Sequence, residues 1–197
     1  MSDKYGTGED RHYCYPGSDV LINKLGITDP TALASAEVSL TQARLQTFEP
    51  DFEDFSLSAL RKIHFHLFQD IYPWAGSLRT IDVSKGATRF ANALRIEPEA
   101  DKLFEQLARE CQLVNLSREQ FTQRLAHYYC ELNVIHPFRD GNGRAQRVMF
   151  EIICINAGYL PRWDPIEREE WIAANIAAYH CKLDPLIKLL DRVLTLS

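Results

Sequence analysis

Apolar residues recur along most of this chain at intervals of three and four, the spacing of one face of an α-helix. Ser56 stands before Leu57, Leu60, Ile63, His64, Leu67, Phe68 and Ile71, which predicts an N-capped helix with one buried face. Ser117 with Gln120 three residues on is a capping box, and the helix it opens carries Phe121, Leu125, Tyr128, Tyr129 and Leu132 on one face. Further on the pattern changes. Val148, Met149, Phe150, Ile152, Ile153, Cys154 and Ile155 are apolar almost all the way round. A helix of that kind is buried on most sides and belongs at the centre of a domain, with Gly158 as its stop. Asp29-Pro30, Asp164-Pro165 and Asp184-Pro185 each place a cap acceptor before a proline suited to the first helical position, predicting three more helix starts.

One stretch alternates instead. Arg79-Thr80-Ile81-Asp82-Val83 follows a two-residue period, then come Ser84-Lys85-Gly86-Ala87 and Thr88-Arg89-Phe90-Ala91. This predicts a short β-hairpin over 79–91 with Gly86 in the turn. A lone pair of strands is marginal in water, so a hairpin inside a helical protein points to a use. The expected fold class is therefore mainly α, with a central buried helix and one short hairpin. Residues 1–16, with Gly6, Gly8 and Pro16, read as an irregular arm laid across the domain.

At 197 residues the chain is long enough for one domain with a substantial core, so 1–197 is taken as a single unit. A formal net charge of −5 argues against broad affinity for nucleic acid or an anionic membrane, while leaving room for a small basic site. The start has no apolar signal-peptide core, and no apolar run reaches membrane-spanning length. The five cysteines (Cys14, Cys111, Cys130, Cys154, Cys181) are scattered and contain no Cys-x-x-Cys pair. They read as reduced thiols of a cytoplasmic protein rather than a disulfide framework or a zinc site.

The chemistry concentrates in residues 136–147, His-Pro-Phe-Arg-Asp-Gly-Asn-Gly-Arg-Ala-Gln-Arg. One helix is expected to end near Ile135 and the buried helix to begin around Arg144. A glycine-rich turn entering a helix presents unpaired N–H groups and the positive end of the dipole, which is an anion site. Gly141 and Gly143 let the backbone approach phosphate oxygens closely. Asn142 offers a side-chain donor, and Arg144 and Arg147, three apart, can both grip a polyphosphate. Asp140 would be repelled there unless a cation such as Mg²⁺ lies between it and the phosphates. His136 is the group whose ordinary pKa suits taking a proton from a hydroxyl near neutral pH. Phe138 has no polar role and is expected to anchor the loop in the core.

Other conspicuous residues have plainer readings. His64 and His66, at i and i+2 of a helix, face different ways and do not form a metal site; a buried structural His64 is expected. His127, Trp74, Tyr72 and the Tyr128-Tyr129 pair read as core or boundary residues, and Lys85 as an exposed turn lysine.

Residues 136–147 match, at every fixed position, the signature His-x-Phe-x-(Asp/Glu)-Gly-Asn-Gly-Arg-x-x-Arg of the Fic family of nucleotidyltransferases, and the chain resembles that family elsewhere. Ile63-His64, Leu67-Phe68, Ile71-Tyr72, Trp74-Ala75-Gly76 and Arg79 look like its helix before the hairpin, or flap. Ala126-His127-Tyr128-Tyr129 with Glu131-Leu132-Asn133 resembles the helix before the signature, and Tyr13, Tyr15-Pro16-Gly17 and Asn23-Lys24-Leu25-Gly26-Ile27 resemble the start of the compact bacterial branch. Leu183-Asp184 departs from the Gly-Asp of many relatives.

The resemblance implies a Fic-type helical domain and a protein adenylyltransferase. His136 would deprotonate a hydroxyl of a target protein, which attacks the α-phosphate of ATP and leaves AMP-protein and pyrophosphate. Asp140 would hold Mg²⁺, Gly141, Asn142 and Gly143 would stabilise the α-phosphate, and Arg144 and Arg147 the β- and γ-phosphates. Lys85, Gly86 and Thr88 would lie where the flap docks the target by strand addition. Alternatives are phosphorylation by a reversed nucleotide, as in the Doc branch, which has a lysine in the Gly143-Arg144 context, or an idle nucleotide-binding module. Many relatives restrain themselves with a helix of pattern (Ser/Thr)-x-x-x-Glu-(Gly/Asn), but no glutamate of these 197 residues is followed by Gly or Asn. The resemblance thus implies the toxin half of a toxin–antitoxin pair, with a small partner inserting a glutamate against Arg147. A type II topoisomerase subunit is the target class it suggests.

Overall fold

The computed structural model describes residues 12–164 and 166–196. Within them the chain is mostly helical, with seven α-helices and two short two-stranded sheets. Helix α1 (Pro30–Gln46) starts as the sequence predicts: Asp29 caps it by accepting from the Ala32 N–H at 2.7 Å, with Pro30 in the first turn. Helix α2 (Leu57–Phe68) is capped by Ser56 and buries Leu57, Leu60, Ile63, His64, Leu67 and Phe68. Helix α3 (Ile96–Arg109) adds an amphipathic helix to those predicted, with Glu97 and Glu99 in its first turn and Ile96, Ala100, Leu103, Phe104 and Leu107 inward. Helix α4 (Arg118–Ile135) opens on the capping box, both reciprocal bonds between Ser117 and Gln120 being present. Helix α5 (Asn142–Asn156) is the central one, packed against α2 and α4. It begins two residues before the expected Arg144 and stops before Gly158, which adopts φ +87°.

Two of the Asp-Pro expectations are corrected. Helix α6 (Arg168–Tyr179) starts after Glu167 and not at Asp164-Pro165; Pro165 lies outside the described residues. Helix α7 (Asp184–Val193) takes Asp184 into its first turn, so the acid meets the helix dipole instead of capping. Leu183 occupies the cap position with no side-chain bond and packs against the core, which is how the Leu183-Asp184 departure is accommodated.

The hairpin is shorter than predicted but has the predicted turn. Strands β1 (Ser84–Lys85) and β2 (Thr88–Arg89) pair antiparallel around a Gly86-Ala87 turn, while Arg79–Val83 forms no ladder. The backbone donors that would extend the ladder go elsewhere, the Arg79 N–H to the Pro137 carbonyl and the Ala91 N–H to the Val134 carbonyl. A second antiparallel pair was not predicted: β3 (Tyr159–Pro161) with β4 (Leu194–Leu196). It brings the end of α7 beside the end of α5. Of the expected arm, residues 1–11 lie outside the described residues; from Tyr13 onward the segment is packed in, with Tyr13 and Cys14 buried and Cys14 bridged to Leu21. All five cysteines are free thiols, and among the described residues no helix is long and apolar enough to cross a membrane.

Candidate active site

The loop begins with a left-handed residue. Helix α4 stops because His136 turns to φ 50°, ψ 64°, a conformation that costs a non-glycine residue about 1–2 kcal/mol. Arg79 holds it there. Its side chain is buried, and its guanidinium donates to the carbonyls of His136 (2.8 Å), Ile135 (3.2 Å), Ile81 (2.5 Å) and Ala91. Its own N–H bonds the Pro137 carbonyl at 2.9 Å. Four carbonyls replace the water that burial removes, so the guanidinium stays protonated although burial lowers its pKa to about 10. One side chain thereby ties both ends of the hairpin segment to the end of α4 and the start of the loop.

His136 is fixed in a definite tautomer. Nδ1 lies 3.2 Å from the Asn133 carbonyl, and a carbonyl only accepts, so Nδ1 carries the proton and Nε2 the lone pair. The ring is 7% exposed and stacked on Phe90, just past β2, at 3.7 Å between centroids. Burial pushes its pKa down to about 3. The imidazole is therefore neutral, with its Nε2 lone pair unprotonated, at any physiological pH.

Beneath the loop lies a column of rings. Phe138 is fully buried and stacks on His64 at 3.9 Å, and His64 on Phe68 at 4.6 Å. His64 accepts from the Gly76 N–H at Nδ1 (2.9 Å) and donates from Nε2 to the Asp140 carbonyl (2.9 Å). Burial depresses its pKa to about 4, which keeps it neutral in that tautomer. Gly141 has φ +78°, and a Cβ there would lie 2.4 Å from the Phe68 ring and 3.1 Å from His64 Nε2, so both backbone and space demand glycine.

Asn142 serves the loop's shape. Its Oδ1 accepts from the Phe138 N–H (2.8 Å) and its Nδ2 donates to the Phe138 carbonyl (2.7 Å). The side chain is buried, and these two bonds close the loop through Oδ1 and one of the two N–H groups of Nδ2. Gly143 differs from Gly141: a Cβ there would meet nothing within 4 Å, so the first turn of α5 is open on that side. Arg144 and Ala145 both donate their N–H groups to the Gly141 carbonyl at 3.1 Å, which leaves the amides before them as the helix's anion-facing donors.

The two arginines are drawn to different neighbours. Arg144 lies over the Phe68 ring at 4.5 Å and donates to Glu37 Oε2 at 2.7 Å. Arg147 is exposed and lies over Trp163 (5.3 Å) and Trp171 (5.7 Å). Asp140 is buried, with Oδ1 accepting from the Gly141 N–H at 2.6 Å and 3.9 Å from Arg144. No cluster of three or more metal-ligating side chains occurs among the described residues. A single carboxylate beside a phosphate site suits Mg²⁺, which takes one or two carboxylates and completes its octahedron with phosphate and water. The residues present fit that ion. A groove of about 740 Å³ between the end of α1 and α2, lined by Phe48, Arg61, Lys62 and Phe65, contains none of these groups.

Residues 54–154 match the Fic/DOC family. A relative from Escherichia coli K12 named "Probable protein adenylyltransferase Fic" is 43% identical over 99% of this chain and 97% of its own length. A relative of the same name from Salmonella typhimurium is 47% identical over 89% and 87%. The chain belongs to the Fic/DOC family. Among solved Fic-type structures, that of the BepC protein of Bartonella tribocorum, a VirB-translocated effector with bound AMPPNP, superposes with a TM-score of 0.88. It is 27% identical, covering 95% of this chain and 98% of that one.

Within this Fic domain, three residues that shape the site lie outside the signature. Arg79 and His64 left a trace in the sequence, since each belongs to a segment resembling the family. Glu37 left none: α1 is nearly without an apolar face, burying only Leu33 and Thr41. Of the flap residues, Lys85 and Gly86 are exposed and Thr88 half-buried. The Tyr179 hydroxyl of α6 meets the backbone of β2, accepting from the Arg89 N–H (3.3 Å) and donating to its carbonyl (3.1 Å). His127 is half-buried and set edge-on to Tyr128, and His66 bonds the Arg44 carbonyl at 2.8 Å, away from His64's partners.

Proposed function

We propose that this protein is a protein adenylyltransferase that moves AMP from ATP to a hydroxyl side chain of another protein. The observation that carries the reading is the tautomer of His136. Its basic Nε2 belongs to a loop that leads straight into an open helix N-terminus. The target oxygen attacks the α-phosphorus as its proton passes to Nε2, and the bond from that phosphorus to the bridging oxygen of the β-phosphate breaks. AMP-protein and pyrophosphate leave. The amides of Asn142 and Gly143 face the charge that builds on the α-phosphate, and Arg144 and Arg147 hold the β- and γ-phosphates. Asp140 is the residue to hold Mg²⁺, which when bound would offset charge on the phosphate oxygens. An extended target segment would pair with the hairpin near Lys85, Gly86 and Thr88. The AMPPNP in the BepC neighbour supports a nucleoside triphosphate as the donor.

The direct test is incubation with cell lysate and labelled ATP. Label should reach protein from α-labelled and not from γ-labelled ATP. Transfer from γ-labelled ATP would overturn the reading in favour of a Doc-like kinase, and tight binding without transfer would favour an idle module. Asp140→Ala should remove most of the activity together with its response to Mg²⁺. A variant at 140 that stays active and still responds to the ion would sink the metal assignment.

The proposed setting is the cytoplasm, as the toxin half of a toxin–antitoxin pair, with a type II topoisomerase subunit as the proposed target. Arg147 is exposed, so a glutamate from a small partner's helix can reach it and occupy the place of a phosphate. Co-purification of a neighbouring small protein that blocks transfer by the wild type, and binds Arg147→Ala more weakly, is the expected outcome.

A further inference from the structure

Resting on the adenylyltransferase reading, we propose that Glu37 is a positioning residue that holds Arg144 away from Asp140 and so keeps the loop's one carboxylate able to take the metal. The motif places an arginine four residues after the aspartate, and in the structure their charged ends are already 3.9 Å apart. An arginine fork and a carboxylate at that distance close readily into a bidentate pair. Nothing within the motif prevents it. The restraint comes from 107 residues earlier in the chain, where Glu37 takes Arg144 Nη2 on Oε2 at 2.7 Å.

Glu37 is itself fixed. Its other oxygen, Oε1, accepts from the Tyr72 hydroxyl, and the Tyr72 ring is fully buried and stacked on Trp74 at 4.3 Å. The guanidinium is seated from below by the Phe68 ring. Arg144 thus has its position set by a carboxylate on α1 and a ring on α2, while its remaining donors stay available to phosphate. The same Phe68 forbids a side chain at Gly141, so loop and arginine are set by one surface. A carboxylate in this place also adds negative charge beside the anion site. That cost is tolerable because the pair is mutually neutral and Glu37 spends both oxygens on donors.

The test measures binding, not turnover. The probe is α,β-methylene ATP, which cannot transfer AMP, titrated at a series of Mg²⁺ concentrations. Glu37→Ala should raise the half-saturating Mg²⁺ by about three- to fivefold, the upper part of what one partly exposed ion pair's worth of competition produces. Glu37→Gln, which still accepts from Arg144, should stay within about twofold of wild type. Glu37→Asp keeps the charge but retracts it by one methylene, so it should behave like the alanine variant and serves if that variant does not fold. In an Arg144→Ala background the competitor is gone, and Glu37→Ala should add nothing. An unchanged Mg²⁺ requirement in Glu37→Ala or Glu37→Asp, or the same rise without Arg144, overturns the assignment and points to α1 docking alone. Should the wild type bind the probe with no dependence on Mg²⁺, the metal role of Asp140 fails first and the proposal with it.

Discussion

Replacing His136 with alanine should lower AMP transfer by about 10²–10⁴-fold, the usual contribution of a positioned general base, with nucleotide affinity nearly unchanged. The separation follows from what the ring touches. Its Nδ1 is spent on the Asn133 carbonyl and its face on Phe90, while the phosphate-facing groups belong to the first turn of α5. Loss should therefore fall on kcat rather than on the binding of ATP. The left-handed backbone at 136 is held by Arg79 through main-chain carbonyls, so alanine can inherit it. The low pKa adds a second signature. With the free imidazole near 3, protonation does not remove the base until well below pH 6.5, and the acid limb of kcat/KM should lie correspondingly low. In cells, expression of the wild-type chain should slow growth and the variant should relieve it. Near-normal transfer by His136→Ala would remove the histidine from the mechanism.

The signature was legible because its requirements are local. A glycine pair, an asparagine, an acid and two arginines within twelve residues specify a turn into a helix without help from elsewhere, and the loop stands where that pattern puts it. The helices on either side were legible for a related reason: Ser56, Ser117 and Gly158 act on their own neighbours, and the apolar stripes of α2, α4 and α5 repeat at 3.6 residues. What the local pattern does not show are bonds that depend on partners outside it. Asn142 offers a donor for phosphate, and its side chain also closes the loop onto the Phe138 peptide, a bond the spacing does not announce. Arg79–Val83 alternates like a strand, yet the Arg79 N–H goes to Pro137 and the Ala91 N–H to Val134, and the ladder begins only at Ser84. Asp184 looks like a cap, but Leu183 is drawn into the core and the helix starts around it.

The pairing of β3 with β4 and the contact of Glu37 with Arg144 could not be read from the chain for a different reason. Each joins segments far apart in sequence through one or a few residues, and neither leaves a periodic trace. Leu194-Thr195-Leu196 is too short to announce a strand. Glu37 sits on a helix whose polar residues outnumber its buried ones. Sequence patterns report which face of an element is buried. They do not report which polar residue on the other face finds a partner.

Between pH 6.5 and pH 5 the folded protein should lose stability at up to about 2.7 kcal/mol per pH unit, the slope for two protons bound on unfolding. The two are those of His64 and His136. Both rings are buried and neutral, with pKa values held down by burial to about 4 and about 3, whereas an exposed histidine of the unfolded chain titrates near 6.5. The direction follows from that difference. Above pH 6.5 neither state binds the protons and stability is complete; as pH falls the unfolded chain gains both, the native one neither, and the balance moves toward unfolding until the folded pKa values are reached. Integrated that far, the losses are roughly 3 kcal/mol for His64 and roughly 5 for His136. Their sum is comparable with the stability of a marginal domain, so the folded state should be strongly destabilised by pH 4. In the resting folded state, charge on either ring is opposed by what surrounds it. His64 Nδ1 is needed as the acceptor of the Gly76 N–H, and His136 is shut under Phe90. Urea midpoints across this interval measure the slope, and His64→Gln, which retains a donor for the Asp140 carbonyl, should reduce it by about half. If that variant is too unstable to measure, the imidazole resonances of the wild type decide: either ring titrating near 6.5 in the folded state would contradict the argument.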